Sequence, residues 1–276
     1  MNKANTSIRD YLYEAPGPRT KRYITIGTVI SLVFVAWLIF FIIRRFYENG
    51  QLDSKYWTIF TRATTWRFLG EGLVGTLEVA VCAMLCAFAL GMLMMVGRIC
   101  NYSILRGIST VLIELSRGIP TLLFIYFFFL AAPQLGLKLP AFWKITLPVA
   151  ISAAGVTAET LRSGVNAVPK GQREAALSLG MREHAVFLKI IFPQAFRIVI
   201  PGLISELVIV LKDTTFAYVV SYADLMQNAR VLISNYDALL SVYLVVAIIY
   251  ILINYGLNKL SLYLTNRRKN AQVKKV

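Results

Sequence analysis

Ionisable side chains stand inside stretches that are otherwise apolar: Glu78, Arg117, Glu159, Arg162, Glu206, Lys212 and Asp213. A charge in hydrocarbon is costly, so by default such groups pair with one another or line a water-filled path. Glu159 and Arg162 are three residues apart on one helical face, and so are Glu114 and Arg117. One reading is that each pair neutralises itself within its own helix. The other is that the set lines a path and offers a polar solute an anion and a cation close together. At about 1.5 Å per residue these depths converge on roughly the central third of a bilayer. Bond-making chemistry lacks its parts. The single histidine, His184, has no metal or triad partner, and Cys82, Cys86 and Cys100 show no zinc spacing. No Gly-x-x-x-x-Gly-Lys-Ser/Thr loop occurs to cradle ATP phosphates. The chain reads as a non-enzyme without a cofactor of its own.

A second stretch points to mechanics. Glu174-Ala175-Ala176-Leu177-Ser178-Leu179-Gly180 is followed, nine residues on, by Ile190-Ile191-Phe192-Pro193. Glu174 to Leu179 are mostly strong helix formers, Gly180 supplies a stop, and Pro193 is read as ending a second short helix. This polar, basic segment lies between two apolar runs. A short helix on such a loop has no core of its own to fill, and its expected use is docking into a groove on another protein.

The elements that must position these groups are membrane spans. The 276 residues are 57% hydrophobic and 16% charged, which excludes an ordinary soluble domain. A net charge of +15 could suggest nucleic acid, but the basic residues flank apolar runs instead of lining one face. The sequence predicts a basic cytoplasmic tail over 1–22, broken by Pro16-Gly17-Pro18, and then a charge-free span over 23–43. Arg44-Arg45 follows where a signal peptide would carry a small-residue cleavage site, so this helix is read as retained. An external connection over 44–67 carries Tyr47, Tyr56, Trp57 and Trp66, suited to the interface. Further spans are expected near 70–97, 108–131, 142–165, 199–220 and 238–258, with a basic cytoplasmic tail over 261–276. The basic tails, the Arg98–Arg106 turn and the central loop all fall on one side, so both termini are expected in the cytoplasm. The fold class is all-α integral membrane with about six transmembrane helices.

The spacing from Glu174 to Pro193 resembles the EAA motif, the coupling loop of permease subunits of ABC importers, with Phe192 where that family usually has Leu. Arg117-Gly118-Ile119-Pro120 resembles the Arg-Gly-x-Pro signature of polar amino-acid permeases, and Gly75-Thr76-Leu77 their first core-helix motif. The run from Ala158 to Gly164, then Pro169 to Ala175, Pro193 to Arg197 and Lys212-Asp213-Thr214-Thr215 extend the likeness. Val156 and Thr215-Phe216 depart from the pattern. Over residues 68–260 the chain is similar to the histidine, glutamine and glutamate uptake permeases, and its opening Tyr13 to Pro18 resembles glutamate-importer permeases.

The resemblance implies a five-helix importer core plus an added N-terminal helix, in the inner or plasma membrane of a bacterium. Loop 170–193 would couple to a separate dimeric ATP-binding subunit, which would hold ATP and Mg. Glu174 would cap or contact a basic groove residue, Ala175 and Ala176 would allow close approach, and Gly180 would permit the turn. The other partners implied are a second permease chain, identical or related, an extracytoplasmic solute-binding protein, the amino acid and membrane lipid, with no nucleic acid. L-glutamate is the favoured substrate, since Arg117, Arg162 and Lys212 suit an acidic amino acid. Glu78, Glu159 and Glu206 could equally serve a basic one. The alternative is an ion-gradient-driven secondary amino-acid transporter, which would need an inverted repeat that the sequence does not display.

Overall fold

The structure, a computed structural model, describes residues 17–273, with side chains described as far as Thr265. Helix α1 spans Pro18–Glu48. Proline does not break this segment; it starts it. The missing Pro18 N–H is one the first turn cannot use, so Arg19, Lys21 and Arg22 lie on the helix and not in an irregular tail. The proposed tail over 1–16 lies outside the described residues. Helix α1 continues past residue 43 and ends at Asn49-Gly50, and none of its residues is buried. It forms a unit separate from the rest of the chain.

Residues 57–273 fold around α5 (Ala141–Asn166), which packs against α2 (Ala63–Ile99), α3 (Ser103–Gly118), α4 (Thr121–Gln134) and α8 (Phe192–Asp213). Lipid gives helices little hydrophobic reason to associate, so small side chains that allow close packing carry the interface. Ala80, Ala83 and Ala87 of α2 meet Ala150 and Ala153 of α5, with Val79, Ile145, Val149 and Val210 filling between them. These alanines recur at three- and four-residue steps, one face of each helix.

The expected third span, 108–131, is not one helix. It is α3 and α4, bent by 100° across Ile119-Pro120. Proline pushes the preceding residue out of helical geometry, and Ile119 is extended at φ −92° and ψ 125°. Among the described residues, five helices are long and apolar enough to cross a membrane, and six if the bent pair is one span.

The segment after the central loop also differs from expectation. Pro193 ends nothing. A four-residue helix α7 (Glu183–Val186) passes through a π turn (Phe187–Ile191) into α8 with Pro193 in its first turn. A wider turn at a helix start accommodates a residue with no N–H to give. The helical path therefore runs from Glu183 to Val220, ending in a 3₁₀ segment (Thr214–Val220), and is longer than the predicted 199–220. Helix α10 (Leu239–Val273) likewise outruns its apolar stretch.

At the end opposite the central loop, α9 (Leu225–Tyr236) lies against the first half of α2. Asn228 Nδ2 donates to the Phe68 carbonyl at 2.7 Å, and the Leu225 N–H donates to Thr76 Oγ1 at 3.0 Å. Gly75 makes the contact possible, since a Cβ there would strike the Ala223 carbonyl oxygen and approach the Tyr222 ring. Gly75→Ala is expected to lower stability by about 1–3 kcal/mol, read as a lower midpoint of thermal unfolding in detergent.

Asp224 caps α9, accepting from the Gln227 N–H at 2.7 Å, while its other oxygen is buried without a hydrogen-bond partner among the described residues. Burial pushes this carboxyl up to about 6, against the pull of its backbone donors. The folded protein therefore favours the protonated form. That contribution is complete below about pH 4 and is lost as pH rises through about 6. Asp224→Asn keeps the capping acceptor without the charge. It is expected to gain thermal stability over the natural protein at neutral pH and not below pH 4. Equal gains at both pH values would contradict this account.

Candidate functional site

Three of the seven predicted charges come together. Glu159 Oε2 accepts from Arg162 Nε at 2.9 Å, and Glu159 Oε1 accepts from Arg98 Nη1 and lies 3.9 Å from Arg117 Nη1. Glu114 Oε1 stands 3.8 Å from both Arg98 and Arg117. Both helix-internal pairs exist, but they are joined across α2, α3 and α5 into one network of two carboxylates and three guanidiniums. Fully charged, it carries a surplus of one positive charge. Glu159 is its hub, with a side chain one-fifth exposed.

The network sits toward the end that carries the central loop. Arg98 is one residue from the end of α2 and Arg162 is in the last turns of α5. Glu78 is twenty residues earlier on α2 than Arg98, about 30 Å away at 1.5 Å per residue. The predicted charges therefore do not share one layer. Glu78 is exposed and lies near the opposite end, where its carboxylate and that of Asp224 add to burial in raising the Tyr222 phenol. Lys212 is exposed.

A second polar group lies deeper. The hydroxyl of Thr121, first residue of α4, donates to Asp213 Oδ2 at 2.8 Å and is 2.9 Å from Ser152 Oγ. The bend at Pro120 is what brings Thr121 to α5 and α8. Two turns before Asp213 on α8, Glu206 is 5% exposed and forms no hydrogen bond or ion pair among the described residues. A carboxyl in that position is expensive to keep without a use.

Arg98, Thr121 and Ser152 did not stand out in the sequence. Arg98 read as an ordinary basic flank, and only its reach across to α5 makes it part of the network. Thr121 had one available signal, its place directly after the Arg-Gly-Ile-Pro break.

The loop over 170–193 has a distinct geometry. Helix α6 (Lys170–Ser178) is exposed apart from Ala176. It ends in a Schellman motif: the Met181 N–H donates to the Ala176 carbonyl at 3.2 Å and the Gly180 N–H to the Leu177 carbonyl at 2.9 Å. Gly180 has φ +77°, a conformation L side chains resist. Ala176 faces the chain itself and packs with Val168, Val186, Ile191 and Ala195. The close approach it allows within the chain is to α7 and α8, where the sequence suggested a partner. Glu174 and Ala175 are exposed, and Leu179 at the tip is 83% exposed. Arg173 and Glu183 brace the turn at 2.9 Å. Pro193 stands in the first turn of α8, off the protruding helix.

A bundle of apolar helices with a broken span, internal charges and one rigid helix held out between two spans is the architecture of a multi-pass membrane permease. Residues 87–270 match the family described as binding-protein-dependent transport system inner membrane component, and the chain belongs to that family. It is 36% identical over 217 residues to the glutamate transport system permease protein GluD of Corynebacterium glutamicum, covering 77% of this chain and 80% of that one. It is 31% identical over 194 residues to the probable glutamine ABC transporter permease protein GlnP of Bacillus subtilis, covering 69% and 89%. Among solved structures, an amino acid ABC transporter crystallised with histidines superposes with TM-score 0.70 at 27% identity, covering 75% of this chain and 97% of that one. The chain is thus an amino-acid ABC importer permease, not an enzyme in itself, and its five or six candidate spans match the importer permease fold that the resemblance implied. Membership implies an ATPase and a substrate-binding protein as partners.

Proposed function

We propose that this chain forms the translocation pathway for L-glutamate, paired with a second permease chain and driven by a separate ATPase dimer that holds ATP and Mg. The guanidinium surplus in the Arg98–Glu114–Arg117–Glu159–Arg162 network carries the substrate assignment. An amino acid with a second carboxylate brings the negative charge that such a network lacks, whereas a basic one would add to the surplus. The identity to GluD supports the same reading. Glu206, Asp213 and Thr121 line the deeper part of the path, and Glu78 and Lys212 its opposite flank. Helix α6, with Glu174, Ala175 and Leu179 outermost and Gly180 setting its end, docks into the ATPase, and closure of the ATPase dimer draws two such loops together. This places the loop and both termini in the cytoplasm.

The test is uptake of labelled L-glutamate by cells with and without the gene, competed by a panel of unlabelled amino acids. Loss of an uptake that glutamate and aspartate compete best is expected. Intact glutamate uptake with loss for another amino acid would overturn the substrate and leave the mechanism.

A further inference from the structure

At the end opposite α6, one face of α9 is unlike the face that packs on α2. Leu225, Asn228, Ala229 and Leu232 are buried, while Gln227, Arg230, Val231 and Ser234 follow one another at helical spacing on the other side. With Tyr218, Ser221 and Asn235 they line an open pocket of about 480 Å³. Arg230 is fixed in it, its guanidinium carbon 4.6 Å from the centre of the Tyr218 ring. Among the described residues no carboxylate lies within ion-pair distance of Arg230. Stacking on an aromatic ring orders the guanidinium and leaves its N–H fork for an acceptor.

We infer that this pocket receives an acidic side chain of the substrate-binding protein, with Arg230 as its anchor. This rests on the orientation given under Proposed function, which turns α9 to the outside. The lining decides between a protein carboxylate and a free amino acid. It offers one cation, hydroxyls and amides but no carboxylate, so a zwitterion's ammonium group would go unpaired. An aspartate or glutamate side chain brings no ammonium and suits the donors present. The pocket is formed between Tyr218 and Ser221, at the end of the long helical path, and the outer face of α9, so an occupant there touches the end of the α8 path that carries Asp213.

The experiment uses the assembled transporter in lipid nanodiscs and its purified, substrate-loaded binding protein as the probe. Affinity is measured alongside basal and binding-protein-stimulated ATP hydrolysis. Arg230→Glu is expected to weaken binding roughly tenfold or more and to remove stimulation, with basal hydrolysis unchanged. Arg230→Lys should restore part of the affinity, keeping the charge without the fork. Replacing the contacting acidic residue of the binding protein by arginine should rescue Arg230→Glu. Unchanged affinity in Arg230→Glu would overturn the inference. So would a shift in the amino-acid concentration dependence with binding-protein affinity intact, which would assign the pocket to free substrate. An unmutated transporter that its binding protein does not stimulate would instead count against the function proposed above.

Discussion

Gly180→Asp is expected to lower transport at least about tenfold while leaving the protein in the membrane. Gly180 has φ +77° and a Cβ added there would meet nothing within 4 Å, so the cost is conformational and not a clash. Left-handed geometry costs an L residue roughly 1–2 kcal/mol, and aspartate tolerates it better than most. The bundle core is far from this turn and should survive. What changes is the docking end. The Schellman closure at Met181–Ala176 loosens, and a carboxylate appears at the C-terminus of α6, where the helix dipole disfavours it. Each ~1.4 kcal/mol lost from docking weakens association tenfold. Gly180→Asn, which suits the left-handed position without adding charge, should retain more transport. Membrane abundance and labelled amino-acid uptake measured together check this. Normal uptake by Gly180→Asp would remove α6 from the coupling role.

The second large effect is expected from Glu159→Gln. Glu159 is held by Arg98 and Arg162 and lies near Arg117, so the substitution leaves three guanidiniums facing one remaining carboxylate, Glu114. Removing one member of a buried ion pair costs about 3–5 kcal/mol, and the partial exposure of Glu159 brings the expected loss of stability to roughly 2 kcal/mol. The functional effect is separate. If Glu159 holds the substrate's ammonium group, the half-saturating concentration rises about tenfold or more and discrimination against dicarboxylates lacking the amino group fades. Arg98→Gln added to Glu159→Gln should recover stability, because it removes a charge left without its partner, but not affinity. An unchanged concentration dependence of uptake would leave Glu159 as a structural residue.

Both residues were visible in the sequence because local rules mark them. Gly180 closes a helix-forming run, and Glu159–Arg162 is a helical pair at a spacing anyone can count. The spans were legible for the same reason, since charge-free runs such as 23–43 admit few alternatives. The misreadings arose at prolines. Pro18 starts α1, Pro120 divides one apolar run into α3 and α4, and Pro193 sits inside a helical path that a π turn keeps unbroken. A proline marks a constraint in sequence, but neighbouring geometry decides whether it begins, bends or merely joins a helix. Contacts between distant segments were the other limit. Nothing local to Arg98 announces a partner 61 residues away at Glu159, and nothing local to Thr121 announces Asp213. Depth counted along separate helices also could not show that Glu78 lies in a different layer from Arg117, Glu159 and Arg162 on the neighbouring helices.

The most direct test of the mechanism places this chain, its ATPase and its partner permease in proteoliposomes with ATP at the α6 side and the binding protein at the other. Labelled L-glutamate uptake is followed with and without ionophores that collapse ion gradients. Uptake that follows ATP hydrolysis, requires the binding protein and is unaffected by ionophores is the predicted result. Uptake that proceeds without the ATPase and disappears with the ionophores would contradict it and point to a carrier driven by an ion gradient.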